Sequence, residues 1–200
     1  MIDKKDIELL NRITTVGAQN AALVLTKMLG TPIEVNFPDV EVISVEEILD
    51  TAPDRDKLYG FVFCRFSGDV DGVAALLLPE SSVLTVLEAF YGRKLDSIRS
   101  MNDTDFSGVK EVGNILIASF LNALSNAYNI TALPSVPDVA VDELAIILED
   151  FSLILMAEEK TELVAFKTRL VPQHREDAIF GTLLILFEPE QSIKGVLQKK

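Results

Sequence analysis

The chain has 200 residues, 48% of them apolar and 24% charged, enough for one sizeable core and too apolar for disorder. Eighteen Lys and Arg against 31 Asp and Glu leave a net charge of −13, which argues against nucleic acid and against an anionic membrane surface. No apolar run reaches the roughly 18 residues that read as a bilayer span, and the charged opening Met1-Ile-Asp-Lys-Lys-Asp is not a signal peptide. A single cysteine, Cys64, excludes an internal disulfide, and one cysteine with one histidine cannot furnish a His/Cys zinc site. The expectation is a cytoplasmic, acidic chain that holds no metal of its own.

The two halves of the sequence repeat one another. With a shift of 99, Leu9–Val40 lies over Gly108–Val139 without a gap, Leu25-Thr over Leu124-Ser and Pro38-Asp-Val over Pro137-Asp-Val. Gly72-Val-Ala-Ala-Leu-Leu-Leu-Pro-Glu also resembles Gly181-Thr-Leu-Leu-Ile-Leu-Phe-Glu-Pro-Glu, with one residue inserted. Each half reads as a long helix, a proline-marked turn, strands, and a closing helix or tail.

In chain order, β-rich runs bounded by turn residues predict strands at Ile33–Phe37, Tyr59–Phe66 and Val73–Leu78. They predict further strands at Ala145–Leu148, Phe151–Ala157, Glu162–Leu170 and Phe180–Phe187. Ser67-Gly-Asp and Glu158-Glu-Lys-Thr read as hairpin connections, so the pairing should be largely antiparallel. Val83, Leu84, Leu87 and Phe90 give Ser81–Tyr91 a helical period that Gly92 stops. Residues 93–106 are a polar link between repeats of about 1–98 and 99–200. The expected fold class is α+β, one domain with internal pseudo-twofold symmetry and long helices on a shared sheet.

The helix over 107–128 is apolar around most of its girth. At 100° per residue, Glu111, Asn114, Ala118, Asn122 and Ser125 fall within roughly 80° of one another as one narrow polar strip. Most Glu-x-x-Asn pairs on a helix are solvated surface, but a mid-helix Gly and Asn each cost roughly 0.5–1 kcal/mol against Ala. Gly113 and Asn114 among Ala, Leu and Ile therefore point to a special demand.

Ser107-x3-Glu111-x2-Asn114-x22-Pro137 resembles the pattern of the CheC-type phosphatases of chemotaxis (CheC, CheX and the related part of FliY), and Ala21–Gly30 resembles the first repeat of CheC. The resemblance implies hydrolysis of the aspartyl-phosphate on a CheY-type response regulator. It implies that Glu111 meets the regulator's active-site lysine and that Asn114 holds the attacking water. Ser107, Ala118, Asn122 and Pro137 would complete the binding surface, and Mg²⁺ would belong to the regulator. A carboxamide suits this task, since it both donates to and accepts from a water and brings no charge toward an anionic phosphoryl group.

The first repeat departs from that pattern. Arg12 stands where Glu111 does, Thr15 where Asn114 does and Glu8 where Ser107 does, while Pro38 keeps its place. Arg12 would repel the regulator's lysine and Thr15 is too short to place the water, so one working site is expected, in the second repeat. A non-catalytic role for Arg12, Thr15 and Gln19 stays open. Two other roles are weighed against the enzyme: a binding module for the receptor deamidase CheD, and a component of the flagellar switch.

Other motifs carry less. Asp69-Val-Asp71-Gly72 with Glu80 suggests a calcium loop, but the fifth and sixth positions are Val73 and Ala74, so a hairpin turn is the reading. His174 lies in a polar turn and Cys64 in a strand, where a buried thiol is expected. Neither a phosphate-binding P-loop nor a G-x-G-x-x-G occurs.

Overall fold

A computed structural model describes residues 4–44, 55–157, 162–172 and 180–187. Its helices are α1 (Lys4–Leu29), α2 (Glu80–Tyr91), α3 (Asp103–Tyr128) and α4 (Leu144–Ala157), with a 3-10 turn at Ile98–Ser100. The strands are β1 (Ile33–Ser44), β2 (Leu58–Gly68), β3 (Gly72–Pro79), β4 (Ala132–Pro134), β5 (Asp138–Glu143), β6 (Glu162–Pro172) and β7 (Gly181–Phe187). All seven join one sheet in the order β1-β6-β7-β3-β2, with β4 and β5 both on the outer edge of β2. Every recorded pairing is antiparallel.

The shift of 99 carries the bounds of α1 onto those of α3 residue for residue. It likewise carries β1 onto the stretch that the second repeat divides into β4 and β5. The sheet order reads the same from both ends once β1 is exchanged with β4–β5, β2 with β6, and β3 with β7. The pseudo-twofold axis therefore passes between β3 and β7. Each repeat's first strand pairs with the other repeat's hairpin, so the halves interleave along the sheet.

Both faces of the sheet are covered. On one, α1, α2 and α3 bury Ala18, Leu25, Val83, Leu87, Leu116 and Phe120 against Val62, Cys64, Leu76 and Ile185. On the other, Leu144, Ile147, Leu148, Phe151 and Leu155 of α4 pack on Phe61, Val73, Ala75, Leu184 and Leu186. Phe61 stands edge-on to Phe151 with ring centroids 5.2 Å apart. Central β3 is thus buried on both faces, which explains its continuous apolar run where an exposed strand would alternate.

Two predicted strands need correction. Ala145–Leu148 and Phe151–Ala157 are not strands but belong to the one helix α4. Leu144, Ile147, Leu148, Phe151 and Leu155 recur at helical spacing and all are buried. Ile146 and Leu153 on the outer face fill in that period, so the run reads as uniformly apolar and mimics buried strands. The strands predicted at 59–66, 73–78, 162–170 and 180–187 and the helix ending at Tyr91 match the structure. The strand predicted at Ile33–Phe37 continues through Pro38 to Ser44, so that proline marks a register shift inside β1 and not a turn. Strands β4 and β5 were not predicted from the sequence. Gly92 stops α2 in the left-handed conformation (φ 62°), where its N–H donates to the Glu88 carbonyl. Residues 158–161 and His174 lie outside the described residues. Because α4 ends at Ala157, residues 158–161 join a helix to β6 and are not the predicted hairpin between two strands.

The polar link at 93–106 is shorter than expected because α3 starts at Asp103. Asn102 caps it by accepting from the backbone N–H of Thr104 and Asp105, and the Asp105 carboxylate accepts from the Asn102 N–H in return. Arg93 grips the same carboxylate with two bonds, 3.0 and 3.1 Å. Glu80, at the start of α2, accepts from Ser97 Oγ and Ile98 N–H. The link is therefore fastened at both ends, and it delivers α3 to the sheet in a fixed orientation.

Candidate functional site

Helix α3 has its sheet face set by a close approach. A Cβ on Gly113 would lie 2.6 Å from Val62 Cγ1, and one on Gly108 would lie 2.6 Å from the Tyr91 ring. The glycine in the middle of the motif thus serves packing: it lets the helix settle on β2. Val109, Val112, Leu116, Ile117 and Phe120 are buried beside it.

The opposite side is the polar strip. Ser107, Glu111 and Asn122 are exposed, while Asn114 and Ala118 are half-buried. Glu111 and Asn114, at i and i+3, point the same way with Cβ atoms about 5–6 Å apart. Ser107 Oγ donates to the Asp103 carbonyl one turn back at 2.8 Å, so its hydroxyl is held by its own helix. Pro137 is buried in the connection from β4 to β5. Just before it, the Ser135 N–H donates to the Arg65 carbonyl at 2.7 Å. Four residues of the predicted set thus share one accessible helix face with Asn114, and the proline is buried between β4 and β5.

Lys110, four residues before Asn114, is half-buried and lies outside the strip read from the sequence. It lies on the side of Asn114 away from Glu111, and the same helical wheel that grouped the strip could have found it. Nor does the sequence announce the Arg93–Asp105 pair. Asp105 is only 1% exposed, and the Arg93 guanidinium holds its carboxyl below the usual carboxylate range, helped by the Asn102 N–H.

In the first repeat Arg12 is exposed and Thr15 half-buried on α1. Thr15 and Gln19 line a cavity of about 430 Å³ with Leu23, Thr26 and Glu34. Pro38 lies in β1, where the register with β6 shifts between Asn36 and Asp39. The corresponding proline of the second repeat falls where β4 and β5 separate.

The turn with Asp69 and Asp71 is the β2–β3 connection. Asp71 accepts from the Gly68 N–H and Asp69 from the Thr131 N–H, so these carboxylates brace the turn. Among the described residues no group of three His, Cys, Asp or Glu could hold a metal ion. No described helix is long and apolar enough to cross a membrane. Cys64 is buried, and burial pushes its thiol up to about 11, far from thiolate reactivity.

The sequence profile of the CheC-like family matches residues 107–141, the stretch that carries the strip and the proline. The CheY-P phosphatase CheC of Bacillus subtilis (strain 168) is 21% identical over 187 residues, spanning 92% of this chain and 89% of that protein. FliY of Thermotoga maritima superposes with a TM-score of 0.75 at 14% identity, over 100% of this chain and 97% of that one. A chemotaxis protein CheX from Desulfovibrio desulfuricans gives a TM-score of 0.58 at 15% identity, over 88% and 99%. The chain therefore resembles the CheC-type family in the sequence of its second-repeat helix and in the fold of nearly its whole length.

Proposed function

We propose that this chain is a phosphatase for the aspartyl-phosphate of a CheY-type response regulator, with one working site on α3. The observation that carries the reading is the placement of Glu111 and Asn114: both are reachable from outside, one helical turn apart, on a helix packed closely on the sheet. In the reaction, the water oxygen forms a bond to phosphorus as the acyl P–O bond breaks. The electron pair stays on the regulator's aspartate, and the water's proton leaves with the phosphate. Asn114 orients that water, and Glu111 docks against a cation of the regulator and fixes the register. Aligning a single water is worth about 10²-fold in rate, or roughly 2.7 kcal/mol of barrier. The Mg²⁺ such a regulator needs belongs to the regulator.

Loss of phosphate from a purified phospho-regulator, with and without this chain, tests the reading. Wild type accelerates it and Asn114→Ala does not; full activity in Asn114→Ala would sink the mechanism. Binding of CheD is a separate activity, compatible with the enzyme, and a pull-down with and without phospho-regulator decides it. A flagellar-switch role leaves the pairing of Glu111 with Asn114 without a purpose.

A further inference from the structure

We propose that Lys110 is a third residue of this site: its ammonium group contacts a phosphoryl oxygen of the incoming aspartyl-phosphate while Asn114 holds the water. The inference rests on the phosphatase reading and adds to it the group that receives the phosphoryl charge.

The geometry is that of one helix face. Asn114 lies between the two charged residues, about 60° around the helix from Glu111 and about 40° from Lys110. Lys110 and Asn114 are i and i+4, so their side chains lie one above the other. Lys110 is half-buried, and the four-carbon stem of a lysine lets its charge reach beyond a neighbouring amide.

Electrostatics says what the cation is for. The chain as a whole carries −13, so a doubly charged phosphoryl group approaching it is repelled. Glu111 adds to the repulsion at close range and is useful only where a cation of the regulator faces it. A positive group on the other side of Asn114 offsets both and favours a single docking orientation, anion toward Lys110 and cation toward Glu111. Lys110 is available for this: it forms no ion pair with any carboxylate among the described residues. Adjacent Glu111 points about 100° away around the helix, so the two do not face each other. In the first repeat the corresponding residues are Asn11, Arg12 and Thr15, and the anion–amide–cation order is lost.

The test uses a CheY-type regulator phosphorylated with acetyl phosphate, and wild type, Lys110→Met, Lys110→Arg and Asn114→Ala chains. Lys110→Met should lower kcat/KM about tenfold, while Lys110→Arg, which keeps the charge, stays within about threefold of wild type. Binding to the beryllofluoride-loaded regulator should weaken about as much, and binding to the unloaded regulator should not change. Wild-type kcat/KM in Lys110→Met, alongside an inactive Asn114→Ala, overturns the role of Lys110 and leaves the phosphatase reading standing. Equal weakening toward loaded and unloaded regulator also overturns it, because the lysine would then touch protein and not phosphate. Wild type no more active than Asn114→Ala overturns the phosphatase reading and Lys110 with it.

Discussion

Asn20 donates through Nδ2 to the Oγ of Ser119 at 2.8 Å and to its carbonyl oxygen at 3.1 Å, and Ser119 is the residue 99 positions on, its own counterpart in the second repeat. Equivalent residues can meet only near a symmetry axis, so this contact marks where the pseudo-twofold passes between α1 and α3. The helices also come close beside it: a Cβ on Gly17 would lie 2.6 Å from the Phe120 ring. The pair divides the roles into a donor amide and an acceptor hydroxyl.

Asn20→Ala removes both bonds and leaves Ser119 part-buried without its donor. The expected loss is about 1–2 kcal/mol of unfolding free energy, read as a lower urea midpoint at unchanged slope. An unchanged midpoint would mean that water replaces the amide at no cost. Gly17→Ala in the same assay should cost up to about 2 kcal/mol: moving the Phe120 ring costs about 1–3 kcal/mol, and alanine favours the helix by about 1 kcal/mol.

Gly113→Ala sets two effects against each other. Alanine favours the helix by about 1 kcal/mol, but its methyl would meet three Val62 side-chain atoms at 2.6–2.8 Å. Overpacking of this kind costs about 1–3 kcal/mol, so the net change runs from about zero to about 2 kcal/mol of destabilisation. Lifting α3 also displaces Glu111 and Asn114 together, so phosphatase activity should fall further than regulator binding. A variant more stable than wild type would show that Val62 yields freely and that the helix is not seated by this contact.

The repeat, the β2–β3 hairpin and the strip were legible in the sequence because each has a local signature: a constant shift, turn residues, a helical period. Helix α4 was not. Apolar residues at Ile146 and Leu153 on its outer face erase the contrast on which a helical period depends. In the sequence Gly113 points to a special demand, but its cause is a valine from β2, a strand some fifty residues earlier in the chain. The Arg93–Asp105 pair escaped notice for the same reason. A partner twelve residues away across a turn has no sequence period to announce it.

That pair makes stability depend on acid. The Asp105 carboxyl is held below its ordinary value, chiefly by hydrogen bonding to Arg93, so the folded chain takes up this proton at lower pH than the unfolded chain. Its contribution is complete above the unfolded carboxylate pKa, about 4, and is lost as pH falls through the folded value. Arg93→Gln removes the depressing cation and leaves a carboxyl whose burial works the other way. Denaturant unfolding from pH 7 down to about 2 should show the two proteins converging at the acid end, with the larger difference near neutrality. Parallel curves would mean that the pair contributes equally at every pH, contrary to a titrating carboxylate.

Charge at the docking face separates binding from chemistry. Glu111→Lys reverses the sign that faces the regulator's cation, and should weaken binding by about tenfold or more, some 1.4 kcal/mol. Asn114→Ala removes an uncharged group whose work begins only once the complex has formed, so the affinity should stay within about threefold while turnover is lost. Arg12→Ala touches the strip that lacks both groups and should leave turnover near wild type. Titration of labelled regulator and the phosphate-release assay together place each variant. Equal affinities for Glu111→Lys and Asn114→Ala would contradict the acid–lysine pairing. Loss of turnover in Arg12→Ala would mean that the first repeat takes part in the chemistry.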